Sequence, residues 1–536
     1  MLLATMLVPL LMLAACIAPG PRARMPYLLG LAPLPGLAAA LLGPGQGVVL
    51  YADWLRLTLM LDAPAAVLLG GAATLWSAAG IYAGAYLGAK PGAERFACWW
   101  LITLSGSLGV FVTGDLVTFY LAFAMVSLAA YGLVVQDRTS AAYRAGEVYI
   151  LLAVLGEVCL LLAFALLAAE TPGDSLAIRD VVAGLPTAPG RDLIVGLLLI
   201  GFGLKAGLVP LHVWLPLAHP AAPMPASAVL SGAIIKAGII GLIRFLPGEG
   251  AVPEWGGILA GLGLLTAFYG VAIGVTQRNP KSVLAYSSIS QMGVAVAALG
   301  LGLADAGAGV AVAFYALCHM LAKGALFLGI GVAMAAGRRW LWLALGPALI
   351  LALGFGGLPG TGGALGKAAV KGLFGDGVLG LLAGLSAAGS TMLMLHFCRR
   401  LAAQAAKDPA ARPPAGLLLP WLALALAAIV VPWAVFAPAG LGDPWSSFAP
   451  EALTGALWPI GLGLALAWVL PRLALPPIPE GDILLPASRC LEAGAPWAGR
   501  LAALEAMLRR WPAAGTMLLA LVLIFGVAML LAPGAP

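Results

Sequence analysis

Five ionisable side chains stand inside stretches that otherwise belong in hydrocarbon: Glu157, Lys205, Lys236, Lys323 and Lys367. A charged group near the centre of a bilayer costs at least about 2.5–3.5 kcal/mol on insertion scales. Four ammonium groups and a carboxylate are a heavy burden for helices that need only pack. One reading has some of them snorkelling to an interface or pairing as interhelical glue. The set as a whole points elsewhere, because a desolvated lysine can load and release a proton near neutral pH. His212 follows Lys205 by seven residues and His319 precedes Lys323 by four, spacings that put each pair on one helix face. Imidazole both accepts and donates a proton at physiological pH, which suits a relay.

Two of the stretches that carry these groups are interrupted. Gly203 to Pro216 holds Pro210 in mid-span, and Leu358-Pro359-Gly360-Thr361-Gly362-Gly363 does the same about 150 residues later, just before Lys367. Proline removes a helix hydrogen bond and glycine loosens the turn, so carbonyls are freed that must face protein or water. Paired breaks in two halves are the mark of an inverted-repeat transporter.

The positioning elements follow from composition. Of 536 residues, 62% are hydrophobic and 9% charged, against about 25% charged in a soluble protein. The chain is a polytopic membrane protein. Windows of about 20 residues place sixteen spans near 2–19, 27–43, 64–88, 97–113, 116–135, 147–169, 193–216, 226–246, 256–276, 283–301, 307–335, 341–358 with a broken continuation to 375, 378–398, 417–437, 452–470 and 513–532. Nineteen Lys and Arg fall in the odd connections and five in the even ones, so the odd connections are cytoplasmic and both termini face outward. Leu13-Ala14-Ala15-Cys16 looks like a lipoprotein cleavage site, yet no basic residue precedes Arg22; it is read as part of the first span. The six cysteines stand apart from one another and from the histidines, which argues against a disulfide framework, zinc or an iron–sulfur cluster. No cofactor and no metal are expected. The net charge of +6 has no basic block, which excludes nucleic acid as a partner.

Spans 4–8 and 9–13 form two groups of five with one break in each, and an odd number of helices per repeat forces the second copy to be inverted. The expected fold is all-α, with about sixteen transmembrane helices and two inverted five-helix repeats. Its parts are N-terminal helices over 1–96, a first repeat over 97–246, a second over 256–400, and C-terminal helices over 401–536 with an amphipathic segment near 484–511.

Pro210-Leu211-His212-Val213-Trp214-Leu215-Pro216, then Ala218-His219, Pro223, Pro225 and Ser231 through Lys236 to Gly238, resembles the central signature of the antiporter-like membrane subunits of respiratory complex I, membrane-bound hydrogenases and multisubunit (Mrp-type) Na+/H+ antiporters. Lys281 to Gly293, His319 to Gly329, and Leu358-Pro359-Gly360 through Lys367 resemble later motifs of the same family, over roughly residues 50–440. Pro477 to Asp482, a basic amphipathic stretch from Arg489 to Arg510 and one last span resemble large subunits of the hydrogenase-4 and formate hydrogenlyase type.

The resemblance implies proton translocation. Lys205 would be the central lysine of a first half-channel, Lys236 its link onward, His319 and Lys323 the bridge between halves, and Lys367 the exit residue, with His212 and His219 on the path. The family's usual span-5 glutamate is replaced here by Ala124, which leaves Glu157 as the substitute partner for Lys205. Expected partners are other membrane subunits, the lipid bilayer and protons, with Na+ as a further candidate; the expected location is a bacterial inner membrane. No redox centre is expected, though the chain could serve a redox-driven translocase. The alternatives are a non-pumping structural or coupling subunit of such a complex, or the energy-coupling membrane partner of an inorganic-carbon uptake system.

Overall fold

The computed structural model describes residues 1–483 apart from 53, 54, 89, 172–174, 249–251, 474 and 477. The amphipathic stretch and final span expected after residue 484, and Pro477, lie outside the described residues.

The chain starts with three short helices, α1 (Leu2–Ala15), α2 (Pro19–Leu28) and α3 (Leu34–Leu41). The stretch 27–43, expected as one span, is divided by a turn at Leu29–Leu31 that runs into Pro33 and Pro35. A hairpin follows, β1 (Gly47–Ala52) antiparallel to β2 (Leu55–Met60) with Gly47 opposite Met60. Then come α4 (Ala63–Leu87), α5 (Ala93–Val112), α6 (Leu116–Val134), α7 (Ser140–Glu170), α8 (Ile178–Gly184), α9 (Arg191–Ala206), α10 (Trp214–Ala221), α11 (Met224–Val229) and α12 (Lys236–Phe245). The remainder is α13 (Pro253–Gly274), α14 (Pro280–Leu301), α15 (Ala308–Ala335), α16 (Trp342–Gly354), α17 (Gly362–Phe374), α18 (Val378–Ala402), α19 (Ala415–Phe436) and α20 (Pro450–Val469).

Among the described residues eleven helical segments are long and apolar enough to cross a membrane. Three form the centre: α14 is wholly buried, α11 to α12 are 94% buried and α15 is 89% buried over their most apolar windows. These hold Lys236, His319 and Lys323. The centre is dense because glycines let backbones meet, as small residues do in membrane bundles. A Cβ on Gly263 of α13 would stand 2.6 Å from Gly293 O of α14, and one on Gly293 would stand 2.5 Å from Gly263 O.

Helix starts are set by side chains that accept the first free N–H groups. Asp62 caps α4 at Ala65 N (2.8 Å), Asp115 caps α6 at Thr118 N (2.8 Å), and Asn279 with Pro280 opens α14. Arg244, one of the five basic residues counted in the even connections, has a side chain only 6% exposed. Its guanidinium donates to Asp62 Oδ2 (2.8 Å) and to the carbonyls of Val110, Thr113 and Phe111 (2.9–3.0 Å), fastening α12 to the adjoining ends of α4 and α5.

Candidate functional site

α9 ends where Gly207 takes a left-handed conformation (φ +81°), and the chain resumes as a helix only at Trp214. Gly207 and Leu208 N–H groups close onto Gly203 O, while Trp214 Nε1 takes the freed Leu204 carbonyl at 2.9 Å. The interruption thus falls where Pro210 predicted it, and Lys205 sits in the last turn before it, 4% exposed. Its ammonium stands 5.5 and 5.8 Å from the ring centres of Phe123 and Tyr149. These rings, Ser127 and Trp214 enclose a cavity of about 10 Å³, room for roughly one water.

Glu157 is also buried, on α7 against α9, and neither of its oxygens meets a donor at hydrogen-bond geometry. No ion pair joins it to Lys205 among the described residues; the two act on each other electrostatically, with the Ser127 hydroxyl as a further neighbour. Ala124 is half-buried and does not line the Lys205 cavity; Phe123 and Ser127 do.

A π-helical turn at Leu230–Ile234 separates α11 from α12, with Ile235 N–H reaching Leu230 O five residues back. Lys236 follows at once. Its ammonium donates to Ser231 O (2.9 Å) and lies 2.6 Å from His319 Nδ1 on α15. Lys323, one turn beyond His319, donates to Leu284 O of α14 (3.1 Å) and stands 5.0 Å from the Phe355 ring centre. His219 at the end of α10 is fully buried and stacked on Phe327 (4.5 Å). His212 lies edge-on to Tyr269 (5.1 Å), in the α9–α10 interruption rather than on one helix face with Lys205.

The second break runs from α16 to α17. Gly357 (φ +103°) and Gly360 (φ +82°) reverse the chain around Pro359, Trp433 Nε1 holds Gly360 O at 3.1 Å, and Thr361 caps α17 at Ala364 N. Lys367 on α17 is half-buried between two cavities of about 20 and 450 Å³. The small one also touches His319, and Gln291 and Tyr315 line both. There Tyr315 Oη donates to Gln291 Oε1 (2.7 Å), and Gln291 Nε2 donates to Ser390 Oγ (2.9 Å). Sequence reasoning passed over Tyr315, Gln291 and Ser390. The run of hydroxyl and amide residues through the apolar span of α14, Ser287, Ser288, Ser290 and Gln291, signalled Gln291; Tyr315 on α15 and Ser390 on α18 lie outside it.

The structure therefore gathers Lys236, His319, Lys323 and Lys367 into one connected interior, and keeps Lys205 with Glu157 in a separate, drier one. Fold and site together define a polytopic membrane protein with a line of buried bases beside two broken helices. Residues 113–379 match the transmembrane family described as NADH:quinone oxidoreductase/Mrp antiporter, so this stretch is that of an antiporter-like membrane subunit. Hydrogenase-4 component B of Escherichia coli (strain K12) is 34% identical over 257 residues, covering 45% of this chain and 37% of that protein. A Na(+)/H(+) antiporter subunit of Bacillus subtilis (strain 168) is 30% identical over 252 residues, covering 44% and 31%. The chain thus spans about a third of the length of the curated relatives it matches. A chain in the structure of the Mrp complex from Dietzia sp. DQ12-45-1b shares the fold, with a TM-score of 0.77 at 23% identity, over 100% of this chain and 63% of that one.

Proposed function

We propose that the chain is a proton-translocating antiporter-like subunit of a multisubunit membrane complex, and that protons pass from Lys205 through Lys236, His319 and Lys323 to Lys367. The observation that carries this reading is the 2.6 Å contact between Lys236 Nζ and His319 Nδ1. Two positive charges at that distance repel strongly, so the pair shares one proton, and which nitrogen holds it depends on the neighbours. A proton arriving at one is handed to the other. Lys323, one turn beyond His319, and Lys367 then offer the next bases, and the small cavity lined by His319, Lys367, Gln291 and Tyr315 joins the last to His319.

The same reading assigns sixteen spans and two inverted repeats, over 97–246 and 256–400, between N-terminal helices at 1–96 and C-terminal helices at 401–536. The packing order supports the repeats: in each half the first helix lies against the second, the third against the broken fourth, and the fourth against the fifth. The excess of Lys and Arg on odd connections supports a bacterial inner membrane location with both termini outside. Other membrane subunits are the expected partners, and H+ rather than Na+ the expected ion, since bases rather than carboxylates line the path. A coupling subunit that does not pump is the second reading, favoured by the dry surroundings of Lys205.

The test is proton flux in vesicles carrying the assembled complex. His319→Ala should reduce flux by about 10²-fold, the smaller end of what a positioned proton carrier contributes. Undiminished flux in an assembled His319→Ala complex would sink the reading.

A further inference from the structure

Lys281 belongs to the connection side of α14 in sequence, yet it is 8% exposed and its ammonium donates to Ala222 O at 2.6 Å. Ala222 is the residue that ends α10, three beyond His219. His219 is fully buried, and among the described residues neither ring nitrogen meets a hydrogen-bond partner. Both Lys281 and Lys323 act on it electrostatically. The two lysines are in turn bridged by a single turn of α14, because Lys323 donates to Leu284 O, three residues after Lys281. The carboxylate of Asp137, exposed in the connection after α6, also acts electrostatically on Lys281.

We infer that Lys281 and His219 form a second proton intake, which feeds Lys323 without passing Lys205. This rests on the proton-path reading above and adds to it a route. Asp137 collects a proton at the surface, Lys281 takes it where α14 begins, and the unpartnered imidazole of His219 carries it to Lys323. The carbonyl of Ala222 holds the Lys281 ammonium in place between transfers. The route joins the interior at Lys323, beyond Lys205, which explains how the subunit works with no ion-paired carboxylate at Lys205. The bland role for Lys281, capping the last carbonyls of α10, needs only a cation. A guanidinium serves that role equally well but cannot give up its proton.

The experiment measures flux in the assembled complex in vesicles, with thermal stability as the folding check. Lys205→Met should keep at least a third of wild-type flux, and the Lys205→Met/Lys281→Met double variant should fall to background. Lys281→Arg in the Lys205→Met background should also fall to background, with unchanged stability. Loss of all flux in Lys205→Met alone, or full retention by Lys281→Arg in that background, would overturn the second intake. Neither result would touch the main path, which stands or falls with His319→Ala.

Discussion

The two broken helices carry the same residue type at the same kind of interruption and place it in opposite surroundings. Lys205 looks onto aromatic rings. Phe119, Phe123, Phe164, Phe202 and Phe245 interlock beside it at centre-to-centre distances of 4.8–6.4 Å, and the cavity at its ammonium holds about 10 Å³. Lys367 looks onto Gln291, Tyr315 and a cavity of about 450 Å³. The difference teaches that a buried lysine is only half of a proton site. A proton moves along hydrogen-bonded groups or water, and phenylalanine offers neither, so on the proposed path the stretch at Lys205 is poorly connected while that at Lys367 is wired.

The contrast can be broken at several points. The largest effect belongs to the junction: Lys236→Met should lower flux by about 10²-fold, because it removes one of the two nitrogens that share the proton. Full flux in that variant would show that the halves do not communicate there. Next comes Lys367→Ala, with a loss on the order of tenfold or more as the last carrier disappears; Lys367→Glu should keep part of the flux, since a carboxylate facing the same cavities also carries a proton. Equal flux in the two variants would remove proton binding from the role of residue 367.

The first half responds more weakly. Phe123→Glu puts a carboxylate beneath the Lys205 ammonium in the volume a larger ring vacates, and should raise flux by about fivefold, the factor that ~1 kcal/mol of attraction represents. Ala124→Glu, whose side chain lies off that cavity, should change nothing; the reverse ranking would mean that the helix face is misjudged. Smallest is Glu157→Gln. Without an ion pair to break, it should lower flux by about twofold or less, and abolition of transport would restore Glu157 as the essential partner of Lys205.

Much of this was legible in the sequence. Lysines inside apolar runs announce themselves by cost, and Pro210 and Pro359-Gly360 announce the interruptions because backbone chemistry leaves few alternatives. Azimuth was harder. Whether Ala124 or Phe123 faces Lys205 depends on a rotation of about 100° per residue, which an almost uniformly apolar helix does not mark. Lys281 read as a connection residue because the positive-inside pattern credits any lysine near a span end to the surface. Sequence spacing points Glu157 toward Lys205 but cannot tell mutual influence from contact. Leu230-Ser231-Gly232-Ala233-Ile234 contains no residue that demands a π-helical turn, and the turn packs against α4 and α15.

That turn amounts to one residue more than an ordinary helix would need. Were these residues to close as an ordinary helix with none removed, everything beyond would rotate by about 100°. Lys236 would swing away from His319. Gly238 would leave its seat against Phe202 O and Ala206 N, where no Cβ fits, and a bulkier neighbour would take that place. Relay and helix contact therefore share a single insertion, so neither can be edited out alone. Relatives aligned here without allowing for that residue would have every later side chain assigned to the wrong face.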